Sequence, residues 1–262
     1  MFDASLTFHD LTLGYHRHPA VHHLGGTLRQ GSLTALVGPN GSGKSTLMKG
    51  IVGVIDPMSG HVDRSPGLEA AYLPQQSELD RAFPARVLDL VALGLFPRRG
   101  LLGRHGAADR AAVSDAIAAV GLGGFEKRAL DTLSGGQLQR ALFARVIVQD
   151  APLILLDEPF NAVDAKTSGD LIAIIQRWHR EGRTVLVVVH DLDLVRRHFP
   201  ETLLLARRAV AWGPTPAALS PQNLDRARHF NEAWAADAPW CEAEPGIADD
   251  APSAPALSRE AG

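Results

Sequence analysis

From Leu6 to Tyr15 apolar and polar residues alternate, the period of a strand with one face buried and the other in water. Leu33 to Val37 differs: it is a short apolar run that stops abruptly at glycines, as a strand feeding a loop would. Helix-forming residues follow from Ser45 to Val52, and strand-like runs return at Leu153 to Leu156 and Thr184 to Val189, each near a helical segment. Continuous apolar strands alternating with helices predict an α/β protein built on a mainly parallel, buried sheet. Between them, Val87, Leu90 and Val91, then Val113, Ile117 and Val120, recur at helical spacing, so a helical insert is predicted over about 86–150. Its basic, Gly-rich stretch from Pro97 to Gly106 reads as a solvated loop. From Asp237 to Gly262 the chain turns to Ala, Pro, Asp and Glu with few large apolar residues, which predicts a disordered tail after a domain of residues 1–236.

Composition narrows the partners. The chain has 262 residues, 45% hydrophobic and 21% charged, with a formal net charge of -3, the profile of an ordinary soluble globular protein. Nothing in that balance implies nucleic acid or an acidic membrane surface. The one cysteine, Cys241, excludes an internal disulfide and a multi-cysteine zinc site and fits a reducing compartment. The start, Met1 to Ser5, lacks the basic and apolar stretches of a secretory signal, and the apolar runs are strand-sized, so this chain is not expected to cross a membrane. Lysine occurs only at Lys44, Lys49, Lys127 and Lys166, which gives weight to a lysine inside a motif.

Lys44 sits in such a motif. Gly38-Pro39-Asn40-Gly41-Ser42-Gly43-Lys44-Ser45 has the pattern of a phosphate-binding loop, after an apolar strand and before a helix. The glycines let successive N–H groups point inward at phosphate oxygens, and the helix turns its positive end to the same anion. Lys44 is expected on the β- and γ-phosphates and Ser45 on magnesium. Such a site needs a carboxylate for the metal, and Leu153-Ile154-Leu155-Leu156-Asp157-Glu158 supplies two at a strand end. Asp157 is the expected partner of Mg2+; Glu158, one residue on, can orient or deprotonate the attacking water. His190 also follows a strand, where ligands bind in open α/β sheets, and can bond to phosphate.

A second glycine-rich helix start, Leu133-Ser134-Gly135-Gly136-Gln137, precedes the helical run Leu138 to Val148. Taken alone it is a Ser-capped helix; beside a phosphate loop it resembles the signature of ABC ATPases. The resemblance covers about residues 5–230 and implies the P-loop NTPase fold of ABC type, with an antiparallel N-terminal β subdomain and a helical subdomain. It implies that Ser134, Gly135, Gly136 and Gln137 cap ATP held by a second copy, that Thr46 joins the phosphate loop, and that Tyr15 stacks on adenine. Gln75 resembles the Q-loop glutamine, a further contact of Mg2+ and the attacking water. Gln76 stands beside it, and Gln75 is preferred because it follows Pro74. Asn161-Ala162-Val163-Asp164 occupies the D-loop place; Asp164 matches the family's Ser-Ala-Leu-Asp, while Asn161 and Val163 depart from it.

The family's working unit implies a homodimer of ATPase subunits on the cytoplasmic face of the cell membrane, using ATP and Mg2+ and joined to an integral membrane permease. By the same resemblance the permease docks beside Gln75 and the helical insert, near Phe83 and Pro84. A single unfused ATPase domain is similar to importer subunits, which adds an extracytoplasmic metal-binding protein. Leu73 to Asp80 followed by Phe83-Pro84, and Asp157 to Phe160 followed by Val163-Asp164, resemble the zinc and manganese uptake branch. A ferric siderophore or haem importer shares the catalytic motifs and stays open, as does a soluble non-transport ABC ATPase. His16, His18, His22 and His23 read as a solvated turn after a strand, with no established zinc spacing.

Overall fold

The computed structural model describes residues 4–16, 18–78, 83–100, 103, 105–161 and 163–236. The tail expected to be disordered, Ala162 and residues 101, 102 and 104 lie outside them; Pro97 to Arg99, expected in a solvated loop, belong instead to a short helix, Phe96–Arg99. Strands β1 (Ala4–Tyr15) and β2 (His18–Arg29) form a long antiparallel pair, followed by β3 (Leu33–Val37) and α1 (Lys44–Ile51). Then come β4 (Ser59–Arg64), β5 (Ala70–Leu73), and the helices α2 (Val87–Ala92), α3 (Phe96–Arg99), α4 (Ala107–Ala119) and α5 (Gly135–Gln149). The chain returns through β6 (Leu153–Leu156), α6 (Ala165–Arg180), β7 (Thr184–Val188) and α7 (Leu192–His198). It closes with β8 (Glu201–Ala206), β9 (Arg208–Pro214), α8 (Thr215–Ala218) and α9 (Pro221–Ala236).

Two sheets result. A three-stranded antiparallel sheet has the order β2-β1-β4, and a six-stranded sheet has the order β5-β6-β7-β3-β8-β9. The pairs β5–β6, β6–β7, β7–β3 and β3–β8 are parallel; only β9 runs antiparallel, at the edge. The six-stranded sheet is buried on both sides, which is why its strands read as unbroken apolar runs. With a side-chain period of two, Leu153, Leu155, Leu186 and Val188 face a core shared with the antiparallel sheet and α1, where Leu6, Leu11, Leu13, Leu47 and Met48 pack. The alternate residues, Ile154, Leu156, Val185 and Val187, face a larger core with the helices. There Phe143 of α5 stacks on Trp178 of α6, ring centroids 5.8 Å apart at 8°.

The helices over 87–149 pack on one another and on that second core. The histidine-rich segment departs from expectation. His18, His22 and His23 lie in β2 rather than in a solvated turn, because His22 faces inward and is fully buried against the strands. Burial and the nearby Arg208 charge lower its pKa from 6.5 to about 4, so it packs neutral. His23 is outward and bonds Asp10, Nδ1 to Oδ1 2.7 Å; His16 alone is in the turn, with a positive φ.

Candidate functional site

Every parallel strand ends on the same side of the sheet, and the loops leaving those ends carry the chemistry. After β3 comes the phosphate loop, after β5 Gln75, after β6 Asp157 and Glu158, and after β7 His190. The phosphate loop wraps tightly because its glycines have no side chain. A Cβ at Gly38 would lie 1.9 Å from the Leu205 carbonyl oxygen of β8, and one at Gly43 would lie 2.4 Å from that of Ala20, at a φ of +94 that already disfavours other residues. The loop is braced from beyond β8 as well, where Arg207 N–H donates to the Ser42 carbonyl at 3.0 Å.

Lys44 opens α1 and is 6% exposed. Its ammonium donates to the carbonyls of Gly38 (2.9 Å) and Pro39 (2.8 Å) across the loop it belongs to. Burial pulls its pKa below the usual lysine value, and the nearby Glu158 and Asp157 charges partly offset that. A cationic side chain bent back onto neutral carbonyls in a partly desolvated loop is poised to exchange them for a polyanion. A cleft of about 420 Å³ opens beside it, lined by residues 40–46 of the loop with Ala20, Gln75 and Glu158.

The carboxylates differ sharply in environment. Asp157 is 0% exposed at the end of β6, its N–H bonded to the Leu73 carbonyl at 2.9 Å. Glu158 adopts a left-handed backbone, φ 51, unusual for a non-glycine, at a cost of about 1–2 kcal/mol. That turn swings its side chain off the strand axis toward the cleft. His190 Nε2 donates to Glu158 Oε1 at 2.7 Å, and Asn161 Nδ2 donates to Oε2, so both carboxylate oxygens are held. Asp191 fixes the next turn by capping α7, its Oδ1 accepting from the N–H groups of Asp193 (2.8 Å) and Leu194 (3.1 Å). The arrangement can polarise a water beside Glu158 while His190 holds the base in orientation.

Gln75 Nε2 lies 3.5 Å from Ser45 Oγ, so the glutamine preferred from sequence is the one that faces the phosphate loop. Gln76 turns the other way and donates to the Gly135 carbonyl at 2.9 Å, tying the segment after β5 to the start of α5. The Ser45 hydroxyl, the Gln75 amide beside it and the buried Asp157 carboxylate near Lys44 are groups whose oxygens are the hard donors that magnesium takes.

The remaining expected residues lie apart from this cleft. Tyr15, 46% exposed, ends β1. Ser134 caps α5: its Oγ accepts from Gln137 N–H (3.2 Å) and Gln137 Oε1 accepts from Ser134 N–H (3.1 Å), a reciprocal capping box. Gly135 and Gly136 form the first turn behind it. Asp164 caps α6, accepting from Thr167 N–H (2.9 Å) and Oγ1 (2.8 Å), bonds that hold its carboxyl below the usual range. None of these lines the cleft around Lys44. Phe83, which could have been a core residue, is 65% exposed. Sequence reading missed Gln76, Asn161 and Asp191 as supports; Asn161 was visible only as a departure from a pattern.

A strand–glycine loop–helix with a buried lysine, near a carboxylate pair at the end of β6, one strand beyond the adjacent β7, defines a P-loop nucleoside triphosphatase. Residues 21–161 match the ABC transporter family. The zinc transport system ATP-binding protein TroB of Treponema pallidum is 39% identical over 224 residues, 83% of this chain and 84% of that one. The manganese transport system ATP-binding protein MntB of Listeria monocytogenes is 37% identical over 220 residues, 82% of this chain and 92% of that one. Among solved structures, an inward-facing putative metal-chelate type ABC transporter superposes with a TM-score of 0.77 at 28% identity, over 87% of this chain and 90% of that chain. The chain belongs to the ABC transporter family, as one of its ATP-binding, ATP-hydrolysing cassettes. No helix among the described residues is long and apolar enough to cross a membrane.

Proposed function

We propose that this cassette energises uptake of a divalent metal ion, zinc or manganese, through a separate membrane permease. The observation that carries the reading is likeness over more than four-fifths of both chains to subunits named for zinc and manganese transport. A homodimer of cassettes peripheral to the cytoplasmic face of the cell membrane, with an extracytoplasmic metal-binding protein delivering the ion, completes the unit. No residue of the cassette needs to touch the cargo. Residues 1–236 are the working domain, and the helical subdomain of about 86–150 with exposed Phe83 is its side toward the permease.

Within each nucleotide site Lys44 and the backbone N–H groups of Gly38 and residues 40–46 bind the triphosphate, with Pro39 shaping the loop without an N–H of its own, and Tyr15 takes the adenine. Ser45, Gln75 and Asp157 would hold Mg2+, which when bound neutralises charge on the β- and γ-phosphates. Glu158 takes the proton of the attacking water, and His190 orients Glu158 through the bond seen at 2.7 Å. Ser134 to Gln137 and Asp164, which do not line this cleft, act on nucleotide held by the partner copy, so two copies related by a two-fold axis make two complete sites. ATP then joins the copies and hydrolysis releases them.

The test is cellular zinc, manganese and iron in a deletion strain under metal limitation, complemented by normal or Glu158→Gln protein. A zinc or manganese deficit rescued only by the normal protein supports the reading. A second reading, uptake of a metal chelate such as a ferric siderophore or haem, draws on the metal-chelate type structural neighbour. A deficit of iron alone would favour it.

A further inference from the structure

The antiparallel sheet carries a second group of ligating side chains, on the face turned away from the core. Strands β1 and β4 pair with Thr7 opposite Asp63, Phe8 opposite Val62 and His9 opposite His61. Successive side chains alternate across a strand, so Phe8 and Val62 pack inward and His9, His61 and Asp63 share the solvent face. The register is pinned beside them. After the His9–His61 pair the ladder shifts at a bulge where Asp10 has φ 48 and Gly60 φ +69. A Cβ at Gly60 would come within 2.3 Å of the His9 and Asp10 carbonyl oxygens, so glycine is what lets the strands close there.

The geometry within the group is convergent. His9 Nε2 lies 2.9 Å from Asp63 Oδ2, and His61 Nε2 lies 3.7 Å from Asp63 Oδ1. The two imidazoles stack, centroids 4.6 Å apart at 15°. One ligating atom from each of the three residues falls within 4.8 Å of the others. A tetrahedral zinc ion, with bonds of about 2.0–2.1 Å, asks for ligand atoms about 3.3 Å apart, a spacing that the 2.9 and 3.7 Å separations to Asp63 bracket. As an ion-pair cluster alone the group would be worth little, since exposed pairs contribute about 0–1 kcal/mol.

We propose that His9, His61 and Asp63 form a binding site for a divalent transition-metal ion of the zinc class, with water in the fourth position. Two imidazoles and one carboxylate suit zinc better than magnesium or manganese, which favour oxygen ligands. β4 is an edge strand of its sheet, so the bound ion staples that edge to β1 and stabilises the folded chain. The site is separate from the nucleotide cleft and does not depend on the uptake reading.

The test titrates zinc chloride into the full-length, chelator-stripped chain in excess magnesium, by calorimetry and by NMR of the histidine ring nitrogens. The expected result is that the first equivalent of zinc shifts the rings of His9 and His61 and raises the thermal midpoint. His61→Ala and Asp63→Asn should each weaken that step by about 10-fold or more. The His9→Ala/His61→Ala protein should lose both the step and the thermal shift. An unchanged first step in that double variant, or His9 and His61 rings unmoved by the first equivalent, would overturn the site; an equal response to manganese would overturn the ion class.

Discussion

The two glycine-rich helix starts of this chain look alike in sequence and differ in what their polar groups are doing. At α1, a buried lysine is bent onto its own loop's carbonyls, beside two carboxylates, in a cleft of about 420 Å³. At α5, Ser134 and Gln137 satisfy each other in a capping box, and close by Asp164 is spent on capping α6. The first is a charged site assembled within one chain; the second is a self-satisfied helix end whose exposed N–H groups gain an anion only when another molecule brings one. Chemistry therefore concentrates at the strand ends; in the function proposed above, the second helix start of a partner copy completes it.

Changes at the first region should have the larger effects. Glu158→Gln keeps the side chain's size and one acceptor oxygen, enough for the bond from His190 or the one from Asn161, but loses the base, so ATP turnover should drop by about 10²- to 10⁴-fold with nucleotide binding retained. Near-normal turnover by a pure preparation would remove Glu158 from that role. Lys44→Met should lower turnover by about 10²- to 10³-fold through lost charge on the phosphates. Yet its nucleotide-free fold should be as stable as normal or more so, because a depressed lysine pKa means that burial of the ammonium costs stability. A clear fall in thermal midpoint would contradict that.

At the second region, Ser134→Ala should cost about 1 kcal/mol of stability through the lost cap. Its larger effect should be on turnover in the dimer, which separates a trans contact from a capping role alone. The last effect concerns neither region and is confined to acid pH. His22 has a folded pKa of about 4 against 6.5, so the unfolded chain takes up its proton first, and stability falls as pH drops from 6.5 to about 4 before levelling. His22→Gln should flatten that slope in denaturant titrations, whatever it does to stability at neutral pH.

The sequence made some of this legible and hid the rest for physical reasons. β3 and β6 were readable to the residue because strands buried on both faces are unbroken apolar runs. β2 was not, since Gly25 and Gly26 interrupt its alternation and His22, polar on paper, is packed neutral inside. In the site, Lys44 with Ser45 and Asp157 with Glu158 announce themselves because the spacing within each pair is local, set by the glycine loop for the first and by the end of an apolar strand for the second. The contact of Gln76 with Gly135 was invisible because it depends on how the segment after β5 meets the start of α5, and that of Asn161 with Glu158 because it depends on the left-handed turn at Glu158. Even so, the choice of Gln75 over Gln76 agrees with the side chain that faces Ser45.

The most direct measurement of whether one chain holds only half of each working site is sedimentation of Glu158→Gln protein with and without ATP, alone and combined with Ser134→Arg. A monomer that becomes a dimer on adding ATP, and a Ser134→Arg version that binds ATP yet stays monomeric, is the expected result. A nucleotide-bound monomer in the first case, or an undiminished dimer in the second, would contradict the composite site.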